Sequence, residues 1–527
     1  MIGATKAHRD LVSTVVRSLV IGPMVGCLFL NTAAAEPLIA TKQGFVRGLE
    51  TQNVDIFLGI PYAAPPVGDL RWKPPQPHAS WSGILSATKF GSHCAQTARV
   101  VGVSSSTEDC LFLNVYVPNG KDNGEAQAGG AEAQGSTDLR GRPVMVWIHG
   151  GDLTAGESND FDASVLASKG NVIVVTINYR LGVFGFLAHP ALTAESPNHA
   201  SGNYGILDQQ FALKWVQQNI RAFGGDPGNV TVFGQSGGGG KVSTLMAMSA
   251  GKGLFHRAVV QSGALLRLAS LEESARFGHA FLAELNLSKS GIDKIQTMPL
   301  DALYAASRSA AAKLGGDSRV PGGRGPAFGF RPVVDGKVIA AHPFDPVAPE
   351  VSANVPLLIG TNLNEFIHGV DQPDADSLTN EDLLKQFDSR YGVKAQAIVE
   401  SLRREYPWAK PFDIFSIAGN RLRETSATQA RRKAALGAAP AYVYLFGWQT
   451  PMLDGRPRAF HSCEISFVFN NADLCVNYSG GTPEALALSR KVSQAWVSFA
   501  RTGRSEPFRL AEMGPRQRRK AACDVFR

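Results

Sequence analysis

Apolar residues fall along this chain in short unbroken runs more often than in alternation. Arg142 to Ile148, Val172 to Asn178, Val230 to Phe233, Arg257 to Ser262, Val355 to Gly360 and Tyr442 to Trp448 each read as a strand buried on both faces. Between them, Asp208 to Arg221 sets Phe211, Leu213, Trp215, Val216 and Ile220 at helical spacing, and Glu484 to Ala500 is a second amphipathic helix. Unalternated strands separated by helices predict one parallel sheet covered on both sides. The pattern differs near the start: Leu38 to Gly59 predicts an antiparallel edge meander, Leu111 to Val117 a further strand, and the prolines from Pro61 to Pro77 an ordered surface loop between them. Asn119 to Arg142, rich in Gly, Ala and Gln, predicts a surface excursion, and the helical stretch between Ser262 and Val355 an inserted cap.

Composition narrows the class without changing this picture. The 527 residues are 44% apolar and 18% charged, as in a packed globular protein. The net charge of +7 is concentrated in Arg504 to Arg527, so the body is close to neutral and a nucleic-acid partner is not expected. Lys6, Arg9 and Arg17, the apolar run Leu19 to Leu30, and Ala33-Ala34-Ala35 form a signal-peptide pattern too short to span a membrane. It predicts removal of residues 1–35 and a secreted or periplasmic product without a membrane span. Export permits disulfides, and of the remaining cysteines the economical pairing is Cys94 with Cys110 and Cys463 with Cys475. No metal-ligand spacing is visible, and neither a metal nor a cofactor is expected.

The chemistry starts at Asn229 to Lys241. A short strand runs into Gly234-Gln235-Ser236-Gly237-Gly238, the pattern of a strained strand-to-helix turn that lifts a serine Oγ clear of the backbone. The helix expected after it, Lys241 to Ala250, aims free N–H groups at whatever is bonded to Ser236. A serine nucleophile needs a base and an orienting carboxylate, which on sheets of this kind follow in the order serine, acid, histidine. Val355 to Gly360 leads into Thr361-Asn362-Leu363-Asn364-Glu365, making Glu365 the candidate acid. His368 shares that loop and cannot reach across the serine, so elimination leaves His461 as the base. An oxyanion hole requires the N–H of Gly237 and others from a loop after an early strand; His149-Gly150-Gly151-Asp152 fits, with Gly151 and Asp152 as donors. Trp448 and Phe366 are candidate pocket aromatics, with core packing as the other reading for each.

With these stretches assembled, the chain resembles the type-B carboxylesterase and cholinesterase-like family of α/β-hydrolases. The resemblance rests on Phe57 to Ala63, Glu108 to Val115, Phe223 to Thr231, Gln261-Ser262-Gly263, and Phe460-His461 with Glu464-Ile465, in the family's order from about residue 42 to 503. It implies an α/β-hydrolase fold: a large, mostly parallel central sheet with helices on both faces and inserted cap regions, here over residues 36–503, followed by an atypical basic tail at 504–527. It further implies Ser236 as nucleophile, Glu365 as acid, His461 as base, oxyanion donors at Gly151, Asp152 and Gly237, a supporting hydroxyl at Ser262, an Arg71–Glu108 ion pair and a Cys94–Cys110 disulfide. Departures are Gln235 where the family has Glu, Asp152 where it has a third glycine, and the tail. The implied function is hydrolysis of a small-molecule carboxylic ester through an acyl-enzyme, with an amide or carbamate, or a catalytically weak binding module, as alternatives.

Overall fold

The structure is a computed structural model that describes residues 36–96, 105, 107–120, 141–288, 291–315, 330–365, 374–505 and, as backbone, 523–526. The expected signal peptide, most of the Gly/Ala/Gln-rich excursion, Phe366 and His368 lie outside the described residues.

Among the described residues ten strands form the main sheet: β1 (Leu49–Glu50), β2 (Val54–Pro61), β3 (Phe112–Pro118), β4 (Arg142–Ile148), β5 (Ile173–Ile177), β6 (Gly225–Gln235), β7 (Arg257–Gln261), β8 (Leu357–Asn362), β9 (Ala441–Phe446) and β10 (Cys523–Phe526). Their spatial order is β10-β9-β8-β7-β6-β4-β5-β3-β2-β1. The six strands from β9 to β5 are mutually parallel, while β3, β2 and β1 on one side and β10 on the other pair antiparallel. Thus Cys523–Phe526, within the stretch read from sequence as a basic tail, supplies an edge strand of the sheet.

Alternation of side chains across the sheet explains the unbroken apolar runs. Val144, Val146 and Ile148 of β4 join Val230, Val232, Val260 and Ile359 in one core, under the helices Tyr204–Asn219 and Gly237–Leu245. Met145 and Trp147 point the other way, joining Phe233, Val259 and Leu358 in a second core beneath Leu488, Val492 and Trp496 of the helix Pro483–Thr502. A strand that contributes to two cores has no polar face to present, so periodicity alone leaves its register undetermined and length decides.

The cap region holds the helices Leu271–Glu284 and Leu300–Lys313, the first started by a reciprocal Ser270/Glu273 capping box. Arg71 ties this region to the body. Its Nε donates to Glu108 at 2.7 Å, a second guanidinium N–H donates to the other carboxylate oxygen, and Nη1 reaches the carbonyls of Ile295, Gln296 and Met298. A disulfide joins Cys94 to Cys110, Cα to Cα 4.8 Å.

The second economical pairing does not form: Cys463 and Cys475 are both free thiols. Cys463 is buried beside Asn362, while the chain between the two cysteines is taken up by the helix Ile465–Val468 and the turns after it. Short separation along the chain therefore does not bring the sulfurs together. Among the described residues no helix is long and apolar enough to cross a membrane.

Candidate active site

Parallel strands all end on the same side of a sheet, so loops leaving the C-terminal ends of β4, β6, β8 and β9 converge there. These loops carry residues 149–152, Ser236, Glu365 and His461 respectively.

Ser236 follows β6 directly and holds φ 58°, ψ −125°, a conformation that L residues adopt only when their surroundings impose it. What imposes it is the packing of the next turn. The helix begins at Gly237, not at Lys241 as the run of poor helix formers suggests. A Cβ on Gly237 would stand 2.2 Å from the Asp152 carbonyl oxygen, one on Gly238 2.0 Å from that of Ile148, and one on Gly239 2.7 Å from Gly263 Cα. Glycine is needed there so that the helix can approach β4 and the 149–152 loop, a long-range requirement that outweighs local propensity. The Ser236 side chain makes no capping bond to its own helix.

Ser236, Glu365 and His461 come together. His461 Nε2 lies 2.8 Å from Ser236 Oγ, and Nδ1 lies 2.5 Å from Glu365 Oε2. The other carboxylate oxygen, Oε1, accepts the backbone N–H of Asn362 at 2.9 Å. Glu365 is 1% exposed, whereas Ser236 and His461 are only partly buried, so the relay opens towards solvent at its serine end. The acid and base loops are stitched to each other: Glu365 N–H donates to the Ala459 carbonyl, and His461 N–H to that of Glu365, both at 3.0 Å.

The loop after β4 sets Asp152 (φ 62°) against Gly237, with Gly151 (φ 82°) just before it in the chain. None of the N–H groups of Gly151, Asp152 and Gly237 donates to an acceptor among the described residues. A glycine at 152 would adopt that φ without strain; Asp152 is held in it.

Three further residues singled out in the sequence are placed as follows. Ser262 is fully buried with φ 46°, directly after the residue whose carbonyl accepts the Ser236 N–H at 2.8 Å, but its hydroxyl has no hydrogen-bond partner among the described residues. Trp448 is a core residue: it is buried, packs on Phe467 and donates from Nε1 to the Ser479 carbonyl at 3.0 Å. Gln235 is buried with Nε2 3.3 Å from His461 Nε2, so an uncharged amide stands beside the imidazole where the family's carboxylate would stand.

Sequence reasoning missed Asn362 and Glu464 as members of this site. The Asn362 side chain donates to the Phe460 carbonyl and to Glu464 Oε2, both at 2.7 Å, linking the acid-bearing strand to the histidine loop. Glu464 is completely buried; burial first, and the nearby Glu365 second, push its carboxyl up to about 7. The available signal was the position of Glu464 three residues after His461, which puts both on one turn. Among the described residues no group of three or more His, Cys, Asp or Glu is arranged to hold a metal ion.

Comparison with known proteins shows what the chain is similar to. The carboxylesterase family model matches residues 35–520. A para-nitrobenzyl esterase of Bacillus subtilis is 36% identical over 477 residues, covering 88% of this chain and 90% of the relative. A solved para-nitrobenzyl esterase structure superposes with a TM-score of 0.70 at 34% identity, covering 90% of this chain and 92% of that one. A Geobacillus stearothermophilus carboxylesterase structure matches with a TM-score of 0.70 at 32% identity over 93% and 97%.

Proposed function

The chain belongs to the carboxylesterase family and is a carboxylic ester hydrolase; from that premise we propose that it works through a serine acyl-enzyme. Ser236 Oγ attacks the ester carbonyl carbon as its proton passes to His461 Nε2. The carbonyl π pair moves onto oxygen, which the N–H groups of Gly151, Asp152 and Gly237 receive. Collapse expels the alkoxide, which takes the proton from His461 and leaves as the alcohol. Water then gives a proton to Nε2 and attacks the acyl carbon; a second collapse returns the proton to Ser236 and releases the acid.

The observation that supports this reading best is the continuous Ser236–His461–Glu365 relay, drawn from three distant stretches of chain onto one edge of the sheet. Glu365 accepts from Nδ1, which leaves Nε2 free of its proton to act as base. We further infer export, with residues 1–35 removed, supported by the leader pattern and by a Cys94–Cys110 bond of the sort that persists in oxidising compartments.

The test is release of a chromophoric alcohol from a short-chain aryl ester by the mature chain and by Ser236→Ala, with folding of both verified. Loss of turnover in the folded variant, together with an acyl-enzyme burst in the parent, is the expected result. A variant that keeps parental turnover would remove Ser236 from the mechanism.

A further inference from the structure

The acyl-enzyme scheme leaves unused a buried lysine close to the nucleophile. Lys241 lies on the helix that starts at Gly237, five residues beyond the nucleophile, and is 1% exposed. Lysines are almost never buried this deeply without a partner that justifies the lost hydration. Its Nζ donates to the Asp152 carbonyl at 2.6 Å and stands 4.8 Å from the centre of the Tyr179 ring. Tyr179 in turn donates from Oη to the His149 carbonyl at 2.6 Å and stacks on the His149 imidazole at 4.3 Å.

These contacts hold the 149–152 loop by a carbonyl at each end. His149 is fixed by Tyr179, just beyond β5, and Asp152 by Lys241, on the nucleophile's own helix. Between the two anchors Gly151 and Asp152 keep left-handed φ angles, and at Asp152 that conformation persists only because its surroundings enforce it. A long apolar side chain at 241 would fill the same space without grasping the carbonyl. Burial pulls the Lys241 ammonium down to about 7, with Asp152 acting the other way, and His149 is driven to about 3, first by burial and then by Lys241. The cluster thus holds its donors without a second cation on His149.

We propose that Lys241 is a positioning residue for the oxyanion hole, locking the Asp152 carbonyl to the Ser236 helix so that the N–H groups of Gly151 and Asp152 stay aimed at the substrate oxygen. This rests on the acyl-enzyme reading above. The chemical consequence is selective: the lock favours the tetrahedral oxyanion over the bound ester, so its removal lowers kcat more than it raises KM.

The experiment compares the full mature chain with Lys241→Met, which keeps the stem and loses the donor, and with Tyr179→Phe, which releases the other anchor. Each is assayed on the aryl ester and for inhibition by an aryl trifluoromethyl ketone, whose serine adduct carries an oxyanion. We expect kcat in Lys241→Met to fall about tenfold to a hundredfold, KM to move by less than about threefold, and the ketone to weaken in proportion to kcat/KM. Tyr179→Phe moves the same way by a smaller factor. A folded Lys241→Met with unchanged kcat and ketone affinity overturns the proposal, as does a loss that raises KM alone. Should that variant fail to fold, Tyr179→Phe and Lys241→Gln decide by the same two readouts. A parent without Ser236-dependent turnover would instead remove the acyl-enzyme reading, and this proposal with it.

Discussion

Glu365→Gln exchanges one oxygen for nitrogen, and the structure determines which way the new amide must face. Oε1 accepts the Asn362 backbone N–H at 2.9 Å, and Oε2 faces His461 Nδ1 at 2.5 Å. A backbone N–H can only donate, so the amide oxygen takes the Oε1 place and the NH2 meets Nδ1. That forces Nδ1 to accept and moves the ring proton to Nε2, 2.8 Å from Ser236 Oγ, where it blocks transfer from the serine. In this orientation the loss in kcat is about 10⁴-fold, or about 5.4 kcal/mol, the scale seen when a triad carboxylate becomes an amide. The opposite flip preserves the tautomer but sets NH2 against the Asn362 N–H in a place that is 1% exposed, at a cost of about 2 kcal/mol. Only about 3% of molecules would take it, so the loss cannot be smaller than about 30-fold. The assay is steady-state hydrolysis of the aryl ester at pH 8, with unfolding midpoints measured beside it. A folded Glu365→Gln within about fivefold of the parent would refute the orientation argument and the role of Glu365 with it.

Neighbouring glycines of the nucleophile helix respond with opposite signs. Gly238→Ala drives a methyl to 2.0 Å from the Ile148 carbonyl oxygen and destabilises by at least about 3 kcal/mol, whereas the nearest atom to a Cβ at Gly240 is Leu265 Cδ2 at 3.5 Å, so Gly240→Ala gains up to about 1 kcal/mol from helix propensity; urea unfolding of both variants checks the pair. Glu464 predicts a pH effect. With its carboxyl raised to about 7 from an ordinary 4.5, the folded state holds a proton that the unfolded state has lost, so stability falls as pH rises through that window, by up to about 3 kcal/mol. The stability difference between Glu464→Gln and the parent therefore grows in the variant's favour from pH 5 to pH 8, and a difference independent of pH would show that Glu464 is ionised at both ends.

The sequence was legible wherever function depends on local order. The glycines around Ser236 announce a tight turn, the order of acid and histidine along the chain leaves Glu365 and His461, and apolar runs mark β4 to β9 to within a few residues. It was opaque wherever an outcome depends on what packs alongside. The helix starts at Gly237 because the Ile148 and Asp152 carbonyls need the room, and nothing in a run of glycines states that. Lys241 follows a run of glycines with nothing to mark it as buried, yet folds inward onto a carbonyl from 89 residues away. Cys463 and Cys475 look paired by separation and are parted by a helix, and nothing along the chain ties Glu464 to Asn362, 102 residues before it.

The separations inside the relay also order events in time. The serine and histidine that touch are 225 residues apart, and the histidine and its carboxylate 96. Contacts so distant along the chain require large loops to close, and the relay exists only once all three stretches have met. Secondary structure and much of the β4–β7 core can therefore return during refolding while the polypeptide is still inert. Turnover requires every one of those stretches in place, so its recovery cannot precede the optical signal of the elements that position them.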